Sequence, residues 1–196
     1  MKVVAFNGSP RKRGNTFQAI EMVFDVLEKE NIETEIVQVG GMKIGPCKAC
    51  NLCRKEKDGF CHGYEKDGDD ILSDCMEKMY EAHGVIIGSP AYFGSVTPET
   101  KALLDRSGYS SRGGSQSLLK RKVCAGIAVV RRQGAATVLD QINNLFALSE
   151  AIVCYSRYWN MIIGRKIGEV LKDEEGIKTL KKLGENMAWL LKKINE

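Results

Sequence analysis

No apolar run in this sequence approaches the roughly 20 residues that a membrane helix needs. The first apolar run, Val3 to Phe6, is too short for a secretory signal and meets a turn at once. A cytoplasmic protein without a membrane partner is therefore expected. The chain has no basic tail and no platform of interleaved aromatic and basic residues, and its net charge is only +4. Nucleic acid is excluded as an expected partner on that ground. Histidine is scarce, with only His62 and His83. Internal repeats, low-complexity segments and linkers are all missing, so residues 1–196 read as one domain.

What is present is a globular composition, 43% hydrophobic and 28% charged. Cysteine is concentrated: Cys47, Cys50, Cys53 and Cys61 follow a C-x2-C-x2-C-x7-C spacing. In a reducing compartment such a group reads as metal ligands or redox groups rather than a disulfide frame. Zinc sites usually draw their ligands from two separated pairs. Three thiols at every third position with a nearby fourth are closer to the ligation of an iron–sulfur cluster. Cys75, Cys124 and Cys154 are scattered and read as small buried hydrophobes. His62, beside Cys61, is an alternative zinc ligand, a solvated side chain or a group hydrogen-bonded near the cluster.

Periodicity gives the rest of the architecture. Val3–Phe6 reads as a strand, Asn15 to about Lys29 as a helix and Glu33–Val39 as a second strand. The cysteine segment, about residues 40–67, shows no period. A helix resumes near Asp69, with Asp69-Asp70 read as an acidic pair at its start. Gly84–Gly88 is a strand, and Thr97-Pro98 opens a helix with Thr97 as N-cap. Lys122–Val130, Ala135–Leu148 and Ala151–Tyr155 read as strand, helix and strand, and Leu171–Ile194 closes the chain as an amphipathic helix with a solvated lysine face. Helices alternating with apolar strands mean a five-stranded parallel sheet covered on both faces, in the flavodoxin-like doubly wound order.

In that architecture ligands bind beyond the carboxyl ends of the strands. The loop after the first strand, Gly8-Ser9-Pro10-Arg11-Lys12-Arg13-Gly14-Asn15-Thr16, leads into a helix N-terminus. It matches neither the Walker A nor the G-x-G-x-x-G pattern. It reads as a cradle for a phosphate monoester, with Ser9, Asn15 and Thr16 as side-chain donors and Arg11 as charge. The loop after the third strand, Ser89-Pro90-Ala91-Tyr92-Phe93-Gly94-Ser95-Val96, reads as the border of a flat ring. Arg131, Arg132, Gln133 and Gly134, after the fourth strand, lie at the same edge. The cysteine loop begins there too, which predicts that cluster and ring share one side of the molecule.

Together, Gly8-Ser9-Pro10-Arg11, Gly14-Asn15-Thr16 and Ser89 to Ser95 resemble the NADPH-dependent FMN reductase and flavodoxin superfamily. The cysteine group narrows the resemblance to the iron–sulfur flavoproteins of methanogens and other anaerobes, over essentially the whole chain. That resemblance implies FMN, a [4Fe–4S] cluster on Cys47, Cys50, Cys53 and Cys61, and a homodimer or homotetramer in which the partner's cluster can face the flavin. Ser9, Arg11, Asn15 and Thr16 carry over as phosphate contacts, with Lys12 and Gly14 in the same loop. Pro90, Tyr92, Phe93, Gly94 and Ser95 carry over as ribityl and ring contacts, with Val96 beside them. The match weakens at Arg131 to Ala136, where relatives are often richer in glycine, and Arg132, Gln133 and Gly134 are the flavin contacts expected there. The expected role is electron transfer, linking a one-electron carrier such as ferredoxin to a one- or two-electron acceptor, with no acid–base catalytic side chain. Two alternatives stand beside it: an FMN-dependent NAD(P)H oxidoreductase without a cluster, and a zinc-stabilised binding module that uses Cys61-His62.

Overall fold

In the computed structural model, residues 1–64, 68, 70–114 and 117–195 are described. The chain runs β1 (Lys2–Asn7), α1 (Asn15–Lys29), β2 (Glu33–Gln38), α2 (Leu52–Glu56), α3 (Leu72–Glu81), β3 (Gly84–Pro90), α4 (Pro98–Ser111), β4 (Val123–Val130), α5 (Ala135–Leu148), β5 (Ile152–Val153), β6 (Met161–Ile163) and α6 (Glu174–Asn195). The strand order is β2-β1-β3-β4-β5, with β6 also pairing with β4. Every pairing is parallel. This is the expected flavodoxin-like sheet.

All eight residues of β4 are buried, which is why that strand is apolar without alternation. One face of the sheet carries α1 and α6, packed through Ile20, Val23, Leu27, Leu183, Met187 and Leu191. Gly184 lets these two helices approach closely, since a Cβ there would lie 2.8 Å from Val26 Cβ. The opposite face carries α3, α4 and α5, packed through Met76, Met79, Leu103, Ile142 and Phe146.

Four features differ from the sequence reading. The fifth strand position is split: the chain leaves the sheet after Val153 and returns at Met161. Asn160, 1% exposed, clamps this excursion. Its side chain donates to the Cys154 carbonyl at 3.2 Å and accepts from the Ser156 N–H at 3.1 Å. The last helix starts at Glu174 rather than Leu171, because Asp173 caps it by accepting from the Gly176 N–H at 3.0 Å. A five-residue helix, α2, sits inside the cysteine segment, too short to register as a period. The helix near Asp69 begins at Leu72, and Asp69 and residues 65–67 lie outside the described residues.

Thr97 is the N-cap of α4, as expected, and its hydroxyl also donates to the Gly8 carbonyl at 2.8 Å. The start of α4 is thereby tied to the loop after β1. Nine residues further on, Arg106 of the same helix bonds to Cys61.

Candidate functional site

Two pockets hold the chemistry. The first is an open cleft of about 200 Å³. Ser9, Arg11, Asn15, Thr16, Pro90 and Tyr92 line it, as expected, together with Ala91, Val129, Arg131, Gly164 and Arg165. The loop at its base is built by short bonds. Asn7 Oδ1 accepts from the Ser9 N–H at 3.1 Å, and Ser9 Oγ accepts from the Arg11 N–H at 3.2 Å. Gln38 donates to the carbonyls of Ser9 at 2.7 Å and Gly40 at 2.6 Å, closing β2 against the loop.

The N-terminus of α1 has Gly14 as N-cap, no side-chain cap and no acidic residue in its first turn. Its leading N–H groups and the helix dipole therefore remain available to an anion. Arg11, Arg131 and Arg165 add positive charge along the same cleft. A phosphate monoester fits this end. Asn15 contributes differently from expectation: its side chain donates to the Lys166 carbonyl at 2.9 Å and accepts from the Gly168 N–H at 2.8 Å. That amide fastens the loop carrying Arg165, which leaves the backbone N–H of Asn15, not its side chain, at the helix N-terminus.

Residues 92–95 form a tight antiparallel turn, with Tyr92 and Ser95 exchanging bonds of 2.8 and 3.0 Å. Phe93 (φ +50°) and Gly94 (φ +76°) both take the left-handed conformation that such a turn demands. Phe93 is wholly exposed and Tyr92 is half-exposed. Phe93, Gly94, Ser95 and Val96 do not line the cleft. Val96 is buried, and the Ser95 hydroxyl donates to Gln141 of α5 at 3.0 Å. Lys12, Gly14, Arg132, Gln133 and Gly134 are also away from the lining. Gly134 (φ +96°) instead packs under Ala91 and Gly94, where its Cβ would meet both at 3.3 Å. Arg131, rather than Arg132 or Gln133, enters the cleft. Arg165 was missed because it follows β6, a strand the sequence did not reveal.

The second pocket, of about 10 Å³, is lined by Cys47, Cys50, Cys53 and Cys61, with Lys48, Asn51, His62, Gly63, Tyr64, Arg106, Tyr109 and Ser110. Cys53 is buried, Cys61 half-buried, and Cys47 and Cys50 exposed. The loop wraps inward through Ala49 (φ +51°), Asn51 (φ +58°), Lys57 (φ +57°) and Gly59 (φ +90°). Left-handed backbone costs about 1–2 kcal/mol per non-glycine residue, and such strain gathers at functional sites. The Ala49 N–H donates to Cys47 Sγ at 3.4 Å. A Cβ at Gly63 would lie 3.5 Å from Cys50 Sγ and 3.8 Å from Cys61 Sγ, which places this residue against both sulfurs.

Burial pushes the Cys53 thiol up, and the nearby Cys61, Cys50 and Cys47 add to the effect. The other three thiols thus bear on Cys53. Among the described residues no three His, Cys, Asp or Glu side chains converge tightly enough to hold a single metal ion. Four thiols lining one pocket are the donor set of an iron–sulfur cluster. The His62 ring is engaged with Asp58, Nε2 lying 2.9 Å from Oδ2.

Arg106 is the residue that sequence reading passed over. It is the largest fully buried side chain of the described residues. Its Nε donates to Cys61 Sγ at 3.3 Å, and Nη1 donates to Asp70 Oδ2 at 2.7 Å and to the Gly45 carbonyl at 3.2 Å. Its guanidinium lies 4.3 Å from the centre of the Tyr64 ring. Burial opposes its charge, but Asp70 and Cys61 outweigh that and hold its pKa above the usual value. The signal was legible: Arg106 shares a helical face with Leu103 and Ser110, where a core residue belongs.

The cysteine loop does not stay at the edge where it begins. It runs along α4 until Gly59 packs on Gly114, beyond the helix end, and the two pockets share no lining residue. Thr97, at the cleft end of α4, and Arg106 are separated by about 13 Å of helix. The thiol pocket thus lies further along α4 than the cleft.

The three scattered cysteines are buried, as expected. Burial raises the thiol pKa to about 12 for Cys75, about 12 for Cys124 and about 11 for Cys154. A raised pKa keeps these thiols protonated, and therefore unreactive, until the pH approaches those values. Iodoacetamide at pH 8 should label Cys47 and Cys50 of the metal-free protein while sparing Cys75 and Cys124, as read by peptide mass spectrometry.

The profile of the NADPH-dependent FMN reductase family matches residues 1–164. Over its full length the chain is 36% identical to an iron–sulfur flavoprotein of Methanocaldococcus jannaschii, which it also covers completely. The chain belongs to this family, among its iron–sulfur flavoproteins. An iron–sulfur flavoprotein of Archaeoglobus fulgidus is 34% identical over 93% of the chain and 86% of its own length. Among solved structures, RosB with a bound formylated riboflavin phosphate intermediate superposes with a TM-score of 0.80 at 21% identity, over 100% of this chain and 80% of its own. An archaeal flavodoxin gives 0.63 at 13% identity, covering 98% and 99% of the two chains. Both structures bear on the fold alone. No helix among the described residues is long and apolar enough to cross a membrane.

Proposed function

We propose that the chain is a cytoplasmic electron-transfer flavoprotein, holding FMN in the cleft and a [4Fe–4S] cluster on Cys47, Cys50, Cys53 and Cys61. It would work between a one-electron carrier of ferredoxin type and a one- or two-electron acceptor. The observation that carries this reading is the presence in one domain of an uncapped, arginine-flanked helix N-terminus and a cage of four thiols. When bound, the cluster supplies one-electron transfer and FMN supplies transfer of one or two electrons.

The residues of the chain position and shield. The first N–H groups of α1, with Ser9, Arg11 and Thr16, hold the phosphate. Pro90 and Tyr92 border the ring, and Arg131 and Arg165 keep the cleft positive. The four cysteines hold the cluster, while Tyr64 and Arg106 cover the Cys61 side. Because the pockets stand apart along α4, transfer between subunits of a homodimer or homotetramer fits better than transfer within one chain. The exposed Phe93 at the cleft rim offers apolar surface for that contact.

The family profile favours a second reading, an NAD(P)H-dependent flavin oxidoreductase with no part for a cluster. Anaerobic titration separates the two. Under the first reading, a reduced ferredoxin-type carrier bleaches the flavin of the wild type and loses most of that rate in Cys50→Ala. Reduction by NADPH at equal rates in both proteins, with no response to the carrier, would establish the second reading instead.

A further inference from the structure

We infer that Arg106 and Asp70 form a built-in regulator of cluster potential, acting through the bond from Arg106 Nε to Cys61 Sγ and pulling in opposite directions. This rests on the cluster reading above. The side chains of Arg106 and Asp70 are 1% and 7% exposed, so water screens neither charge. A buried ion pair is no economical way to fill a helix interface, since apolar side chains of similar volume are often as stable or more so. Leu103 and Ser110 around it show that α4 needs no charge on this face for packing. The pair is also aimed. Its guanidinium is held at four points: Cys61, Gly45, Asp70 and the Tyr64 ring. Asp70 is fixed in turn by the N–H groups of Gly45 at 3.2 Å and Leu72 at 3.1 Å.

The electrostatic consequence has a definite sign. Taking up one electron from an external one-electron donor makes the thiolate-bound group more negative by one charge. A cation in hydrogen-bond contact with a ligand sulfur stabilises that more negative form, so Arg106 raises the potential. Asp70, one guanidinium further away, opposes it more weakly. Arg106 is thus a positioning and tuning residue, not a catalytic one. Its place on α4, whose other end is bonded to the Gly8 carbonyl through Thr97, ties the tuning group to the flavin loop by a single rigid element.

The test is an anaerobic redox titration at fixed pH, with the cluster followed by electron paramagnetic resonance, on the wild type, Arg106→Gln and Asp70→Asn. Arg106→Gln is expected to lower the equilibrium constant for reduction about tenfold, a fall of about 59 mV for one electron. Asp70→Asn is expected to shift the potential upward by less. A purely structural brace would move both variants the same way, or neither, and either result overturns the inference. If Arg106→Gln fails to retain iron, Asp70→Asn decides alone: an upward shift supports the inference, and an unchanged or lowered potential overturns it. Wild-type protein without iron and sulfide would instead defeat the cluster reading itself.

Discussion

Cys50→Ala should purify with FMN bound and with its iron and acid-labile sulfide gone. Cys50 lines the thiol pocket between two left-handed residues, Ala49 and Asn51, in a loop whose shape has no other evident purpose. A cubane held by four thiolates loses a quarter of its ligands with this change, and no other cysteine can replace it. Cys75, Cys124 and Cys154 are buried elsewhere, in the two sheet-facing cores. Iron should fall from about four per chain to below about one. Flavin should stay, because the cleft and the thiol pocket have no residue in common. Iron retained at the wild-type level, or loss of both groups together, would show that the two sites are not separate as described.

Gly40→Ala should do the reverse. A Cβ at residue 40 would lie 2.5 Å from the Gly8 carbonyl oxygen and 2.6 Å from the Pro10 nitrogen, and closer still to the Ser9 carbonyl carbon. These are backbone atoms of the phosphate loop, already fixed by Gln38 and by the bond from Thr97 to Gly8, so they cannot turn aside as a side chain would. Overpacking of this kind costs about 1–3 kcal/mol, which as displaced loop geometry is a roughly 5- to 150-fold weaker FMN Kd. Fluorescence titration of the flavin-free protein measures it. The cluster should remain at about four iron per chain. A Kd within about twofold of wild type would mean that the loop after β1 does not set flavin affinity.

The parts of this molecule that were legible in sequence are those whose physics is local or periodic. The boundaries of α1 and α5, the Thr97 cap and the buried strands β1, β3 and β4 follow from apolar spacing and helix-end chemistry. The phosphate and cysteine loops were legible because their residue types are unusual for their positions. What was hidden depends on contacts distant in sequence. β6 is only three residues long and exists because β4 offers it an edge. Arg165 reaches the cleft by following that strand, and Asn15 is drawn away from the anion to hold the same segment. The Arg106–Asp70 pair joins residues 36 positions apart across the cysteine loop. The descent of that loop along α4 is a packing result that no period in residues 40–67 announces.

The central claim is that one chain holds a flavin and an iron–sulfur cluster at two distinct sites. The most direct measurement is purification without oxygen, followed by assay of FMN, iron, acid-labile sulfide and zinc per chain. The account predicts about one FMN with about four iron and four sulfide, and no stoichiometric zinc. Flavin with neither iron nor sulfide, or zinc without flavin, would contradict it.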